Sequence, residues 1–346
     1  MAQSTYDPCL MYSTTTPFGL VGLQTDDTLI VADNAFAEAE EAELKKAGFM
    51  ARKREQLAEG TKLKFNGGDI TLQPDKSITI TQESYNTTLQ VVTTKAANLV
   101  SSRGTIRRDV SIQDQYVVQR ARGAYLAIVT QPEAAFDLSF AAQTTSEVTQ
   151  DQINLLNKRI VWQKENCGRG LRFVQLNPKQ LRLITFTDAA FANNTDLSSQ
   201  IGYIIVLADQ DNANILHWSS TKCKRVTRSV LASELYAMSN AFDISSAIKC
   251  TIEKILRISL PLTICTDSKS LYDCLVKLGT TQEKRLMIDL MCLRQSYERR
   301  EIAEVRWIDG NTNPADAMTK SKACSALKDL IDTNKVSVTC NEWVER

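Results

Sequence analysis

Near residue 171 the pattern of apolar positions changes to short runs with the spacing of strands. GLRFVQL, RLITFTDAAFA, IGYIIVLAD and ANILHWSS follow one another, and the last three read as consecutive antiparallel strands. A long helix is predicted from about Ser229 to Lys249, then a strand over PLTICTD and helices over 268–278 and 282–300. A strand over AEVRWID and a short helix opened by Asn313-Pro314 complete the pattern. Three strands, a helix, a strand, helices, a strand and a helix describe a mixed sheet with helices on its faces, an α/β unit.

The first half reads differently. FGLVGLQTDDTLIVAD (18–33) is two apolar runs flanking a turn at Thr25-Asp26-Asp27, a hairpin. Asn34 is read as the cap of a helix, NAFAEAEEAELKKAG, that ends at Gly48 with lysines in its last turn. KLKFNGGDITLQ is a second hairpin, turning at Gly67-Gly68, and SITITQ alternates with period two. From about 82 to 165 the signals are helical, with Pro132 in the first turn of PEAAFDLSFAAQ, a polar loop over 143–152 and an amphipathic helix over 153–165. The last residues, from Ser321, read as one helix (SALKDLIDT) and a short tail.

Composition narrows the chemistry. The 346 residues, 43% hydrophobic and 23% charged, suit two or three globular domains. No apolar stretch is long enough to span a membrane, and the first residues show no secretory pattern. The nine cysteines form no CxxC pair, so we expect reduced thiols in a cytosolic or nuclear setting and no structural zinc. His217 is the only histidine, which argues against Ser-His-Asp, Cys-His and histidine–metal chemistries. Catalysis would then rest on carboxylates, which at neutral pH work by holding hard cations. A net charge of +1 gives no general pull toward nucleic acid, so polyanion binding would need local basic patches.

Four acids fall at telling places. Asp188 ends the strand ITFTD, Glu234 sits in the long helix among Leu231, Leu235 and Met238, Asp267 closes TICTD, and Asp316 lies in the first turn of NPAD. Each alone has an ordinary reading: a turn residue, a solvated helix residue, a helix N-cap and a complement to a helix dipole. Together they make a cluster that repels itself unless cations sit among its members. Oxygen-only ligation suits Mg²⁺ or Mn²⁺, and two such ions about 4 Å apart would activate a water against a phosphodiester.

TDAAFA, GYIIVLAD…ILHWSS, TRSVLASELYA, CTDSKSLYD and WIDGNTNPADAMTK, in this order, resemble the blocks of the RNase H domain in copia-type LTR retrotransposon Pol polyproteins. The resemblance covers about 181–320. It implies an RNase H fold that cuts the RNA strand of RNA/DNA hybrids, with Asp188, Glu234, Asp267 and Asp316 as metal ligands. One departure is that nothing here supplies the loop histidine that many cellular RNases H place before the last aspartate, which implies slower product release.

FGLVGLQTDDTLIVAD resembles the palm hairpin of the same elements' reverse transcriptase, which would make Asp26 and Asp27 polymerase metal ligands. Gln24-Thr25 stands where that family has an aromatic and a small apolar residue. Only 25 residues precede Asp26, too few for fingers and a third carboxylate, so polymerase activity is not expected from this chain alone. The implied organisation is a truncated α+β palm over 1–80, a mainly helical thumb and connection over 81–176, the α/β RNase H domain over 177–320, and a C-terminal helix and tail over 321–346. An unpartnered palm would invite self-association or association with other retroelement chains. Lys222, Lys224, Arg225 and Arg228, with the hydroxyls of Ser219 and Thr227, are the expected nucleic-acid contacts. The competing readings are a silent remnant and a subunit of a split reverse transcriptase.

Overall fold

The computed structural model describes every residue except 51, 101–103, 145–146, 278–280, 282 and 346. Strands β1 (Ala2–Gln3), β2 (Leu10–Tyr12), β3 (Gly19–Gln24) and β4 (Asp27–Ala32) form an antiparallel sheet in chain order. Gln24 stands opposite Asp27, so the β3–β4 turn is Thr25-Asp26. Helix α1 (Asn34–Lys46) is capped by Asp33 rather than Asn34. The reason is that the Asp33 carboxylate accepts both the Phe36 N–H at 2.8 Å and the Phe18 N–H at 2.9 Å, tying helix to strand. The hairpin of β5 (Lys62–Phe65) and β6 (Gly68–Leu72) turns at Asn66-Gly67, not Gly67-Gly68. Both turn residues have positive φ, 46° and 71°, the geometry that an Asn-Gly pair favours. Strand β7 (Ile78–Thr81) follows, antiparallel to β6.

The region read as helical opens with the short α2 (Glu83–Asn86) and then contains a hairpin, β8 (Ala97–Val100) with β9 (Ile106–Val110). It buries only Leu99 and Val110, so it leaves almost no period-two trace in the sequence. Helices α3 (Ile112–Val129), α4 (Ala135–Ala141) and α5 (Gln150–Glu165) pack around Tyr116, Leu126, Leu138, Leu156 and Ile160. Thr149 and Gln152 close a capping box at the start of α5. Strand β10 (Leu171–Phe173) pairs back onto β7, while Leu171 is buried in the core on one face of the C-terminal sheet. Residues 145–146 of the expected loop, and 278 and 282 at the expected ends of two helices, lie outside the described residues.

The C-terminal half is built on β11 (Arg182–Ala190), β12 (Gln200–Ala208) and β13 (Ala213–Lys222), then α6 (Val230–Leu256), β14 (Leu262–Thr266), α7 (Lys269–Val276), α8 (Met287–Glu298) and β15 (Glu304–Ile308). A 3₁₀ turn over Pro314–Met318, helix α9 (Ala326–Thr333) and strand β16 (Cys340–Glu345) complete it. The sheet order is β13-β12-β11-β14-β15-β16. β14 and β15 run parallel to β11, and the remaining pairs are antiparallel. This is the expected mixed α/β sheet of RNase H type. The residues read as a tail contribute its sixth strand: CNEWVE is short, charged and an edge, with Trp343 60% exposed, so its signal was weak. Leu183, Ile205, Leu235, Leu262 and Ile264 fill one face. Ile184, Phe186, Ile204, Met318 and Leu327 fill the other. Burial on both faces explains why these strands read as continuous apolar runs. No helix among the described residues is long and apolar enough to cross a membrane.

Candidate metal centre

Register brings the first two carboxylates together. Thr187 on β11 pairs in parallel with Thr266 on β14, so Asp188 and Asp267 each stand one residue further along adjacent strands. Ser229 starts α6 by accepting the Ala232 N–H, and Glu234 follows in its second turn, 4% exposed. One carboxylate oxygen from each of Asp188, Glu234 and Asp267 lies within 4.8 Å of the others.

Three acids this close and this buried resist ionising together. Burial raises Glu234 well above the usual carboxylate range, and Asp188 and Asp267 add to the effect. Asp267 is pushed up to about 6, by burial first and Asp188 second. Asp188 is raised by burial, although Lys320 and the Thr319 hydroxyl pull the other way. Glu234 Oε2 is buried with no hydrogen-bond partner. An all-oxygen set with an orphaned, buried acceptor fits a hard divalent cation.

The surrounding turns hold this edge in shape. Asn313 Nδ2 donates to the Thr187 carbonyl at 2.9 Å, and its Oδ1 accepts the Ala315 N–H at 3.1 Å, which fixes the Pro314–Met318 turn to β11. Gly310 borders Asp267, where a Cβ would stand 2.9 Å from Oδ2.

Asp316 stands outside the three-carboxylate group. Its Oδ2 accepts the Cys324 N–H at 2.8 Å, and its Oδ1 is paired with the Lys320 ammonium. Lys320 Nζ also lies 3.7 Å from Asp188 Oδ2, and the Thr319 hydroxyl donates to that same oxygen. The expected foursome is therefore three and one, joined by a lysine. Neither Thr319 nor Lys320 was singled out from the sequence. The available signal was a lysine four residues after Asp316, one helical turn on.

Asp26 and Asp27 are exposed at the tip of the β3–β4 hairpin, and among the described residues they join no carboxylate cluster. The basic stretch after β13 lies at the same end of the sheet as Asp188, since Ala190 faces Gln200 and Gln200 faces Lys222. Within it, Lys222 pairs with Asp196, and Arg225 pairs with Asp289 at 2.9 Å while lying over the Tyr236 ring. Lys224 and Arg228 are exposed. The Thr227 hydroxyl shares a hydrogen bond with Ser199 at 2.7 Å, and Ser219 is half-buried beside Tyr203. His217 is engaged elsewhere, between the hydroxyls of Tyr6 at 3.0 Å and Tyr203 at 3.3 Å.

No family model matches the chain. Among curated proteins it is similar to the Transposon Ty1-JR2 and Ty1-MR1 Gag-Pol polyproteins of Saccharomyces cerevisiae, each 25% identical over 195 residues, 55% of this chain. The aligned part is 10% of those polyproteins, so the chain spans about a tenth of the relatives it matches. Among solved structures, RNase H1 from the archaeon Halobacterium salinarum NRC-1 aligns at TM-score 0.32 and 15% identity, over 43% of this chain and 98% of that one. The foamy viral protease-reverse transcriptase in complex with RNA/DNA hybrid aligns at TM-score 0.44 and 12% identity, over 79% and 34%. Strand order and register, not these overlaps, carry the fold. The chain is distantly similar to copia-type Ty1 Gag-Pol polyproteins over a little more than half of its length.

Proposed function

We propose that this chain is an RNase H-type endonuclease that hydrolyses the RNA strand of RNA/DNA hybrids. The observation that carries the reading is the meeting of Asp188, Glu234 and Asp267, from two strand ends and a helix, with a buried Glu234 oxygen left unpartnered. Asp188, Glu234 and Asp267 would hold one Mg²⁺ or Mn²⁺, and Asp188 with Asp316 would hold a second. Such ions supply Lewis acidity toward phosphate oxygens and lower the pKa of water.

The protein's own part is positioning. Asn313 and Gly310 keep the Asp188–Asp267 edge open and fixed. The exposed Lys224 and Arg228, with Lys222 and Arg225 released from their surface pairs, would track the phosphate backbone of the hybrid. Ser219 and Thr227 would meet phosphate or 2′-hydroxyl groups in the wide minor groove. Cleavage would leave a 3′-hydroxyl and a 5′-phosphate. In this reading residues 1–80 are a reverse transcriptase palm and 81–176 its thumb and connection. Polymerisation is not proposed, because Asp26 and Asp27 stand exposed without a third carboxylate beside them among the described residues.

One observation favours the silent remnant: Lys320 already neutralises Asp188 and Asp316. The test is incubation of purified protein with labelled RNA/DNA hybrid in Mg²⁺ or Mn²⁺, beside Asp188→Asn and Glu234→Gln. We expect metal-dependent cutting that spares duplex DNA and single-stranded RNA and falls to background in both variants. No cutting by well-folded wild-type protein would overturn the nuclease and favour the remnant.

A further inference from the structure

Lys320 is the lysine that reaches the three-acid group among the described residues. Its ammonium touches Asp316 and stands 3.7 Å from Asp188 Oδ2, so one cation spans the two carboxylates that lie at the margin of the three-acid group. Its side chain is nevertheless 45% exposed. It thus has a route into solvent, and its long aliphatic stem gives it the rotamers to take that route. Within the three-acid group, by contrast, Glu234 Oε2 is buried and has no hydrogen-bond donor. The centre therefore has two unequal halves. Glu234 and Asp267 make no ion pair with Lys320, whereas Asp316 and Asp188 do.

We infer that Lys320 is a positioning residue that occupies the Asp188–Asp316 half of the centre and makes occupancy by two divalent ions sequential. Asp188, Glu234 and Asp267 would hold the first ion, where Glu234 Oε2 has no donor to give up. Asp188 and Asp316 would hold the second, once the Lys320 ammonium has left them. While it stays in, Lys320 holds the Pro314–Met318 turn against β11 from the Asp316 side, as Asn313 does from the Thr187 side. The inference rests on the metal-centre part of the proposed function, not on cleavage itself.

The test is Mn²⁺ binding to the full-length protein, followed by calorimetry and by the paramagnetic signal of free Mn²⁺, with no nucleic acid present. Wild-type protein is expected to bind one ion more tightly than a second. In Lys320→Met the second ion should tighten by on the order of tenfold or more, as removal of a unit charge a few ångströms away requires in a partly wet site. The first ion should change less. Lys320→Arg keeps the charge and should bind both ions as wild type does, whereas a merely structural role would not make the neutral variants bind the second ion more tightly. Lys320→Gln serves if the methionine variant fails to fold. Unchanged or weaker second-ion binding in the neutral variants, or no second ion in any of them, overturns the inference. Binding as described without hybrid cleavage would sink the nuclease reading alone; cleavage with unaltered second-ion binding would sink this inference alone.

Discussion

Asp267 shows how a site residue differs from a surface acid of the same type. Its carboxyl is pushed up to about 6 because burial and Asp188 both oppose its charge. The folded chain therefore keeps a proton that the unfolded chain has lost, and without divalent ions stability falls as pH rises from about 4 to about 6. Mg²⁺ should stabilise the fold more at pH 7 than at pH 5, measured as a thermal shift at both values. A larger shift at pH 5 would contradict this account. Asp267→Asn removes Asp267's share of the repulsion and leaves that between Asp188 and Glu234. The metal-free variant should melt at the same temperature as wild type or higher at pH 7, yet lose most of its Mg²⁺ response. At this scale the sequence was readable in part. Asp188 and Asp267 announced themselves as acids ending apolar runs. The partners that balance them, Thr319 and Lys320, are side chains of ordinary polarity whose importance depends on distance, and no periodicity encodes that.

Among the elements, β11 matters most, because it lies between an antiparallel and a parallel neighbour and delivers Asp188 beside both. Gly202 on β12 stands directly opposite Asp188, and a Cβ there would fall 2.3 Å from Met318 Cβ. Gly202→Ala should lift the Pro314–Met318 turn off the sheet, carrying Asp316 with it. We expect a loss of about 1–3 kcal/mol in denaturant unfolding, typical of overpacking, together with weakened cleavage although no ligand is altered. Wild-type stability and activity in this variant would show that the turn yields easily. The strands of the main sheet were legible because both faces are buried and the apolar runs are unbroken. The β8–β9 hairpin and β16 were not, since each buries little and pairs through backbone groups that any residue offers.

Across the whole molecule the two halves are tied by side-chain to main-chain bonds. Asn214 accepts the Val174 N–H at 2.9 Å and donates to the Val174 carbonyl at 2.8 Å, while the Trp218 indole N–H donates to the Ala127 carbonyl at 2.8 Å. Helix α4 adds to these ties, since the Gln200 amide on β12 donates to the Ser139 hydroxyl at 3.0 Å. Asn214→Ala should cost about 2 kcal/mol, because it strands two main-chain groups, and should speed limited proteolysis between the halves. Unchanged proteolysis would mean the halves are held by other contacts. The order of elements predicted this plan, but nothing in composition or period foretold which side chains would bind the halves together. The bonds that complete the metal centre reach still further along the chain. The Thr187 hydroxyl donates to the Cys265 carbonyl 78 positions away, and Asn313 reaches the Thr187 carbonyl across 126. Loops of that size close late, after the β11–β12–β13 meander has zipped from local turns. Mn²⁺ capture in a refolding experiment should accordingly lag the recovery of sheet signal, which makes the centre a reporter of complete folding rather than a nucleus for it.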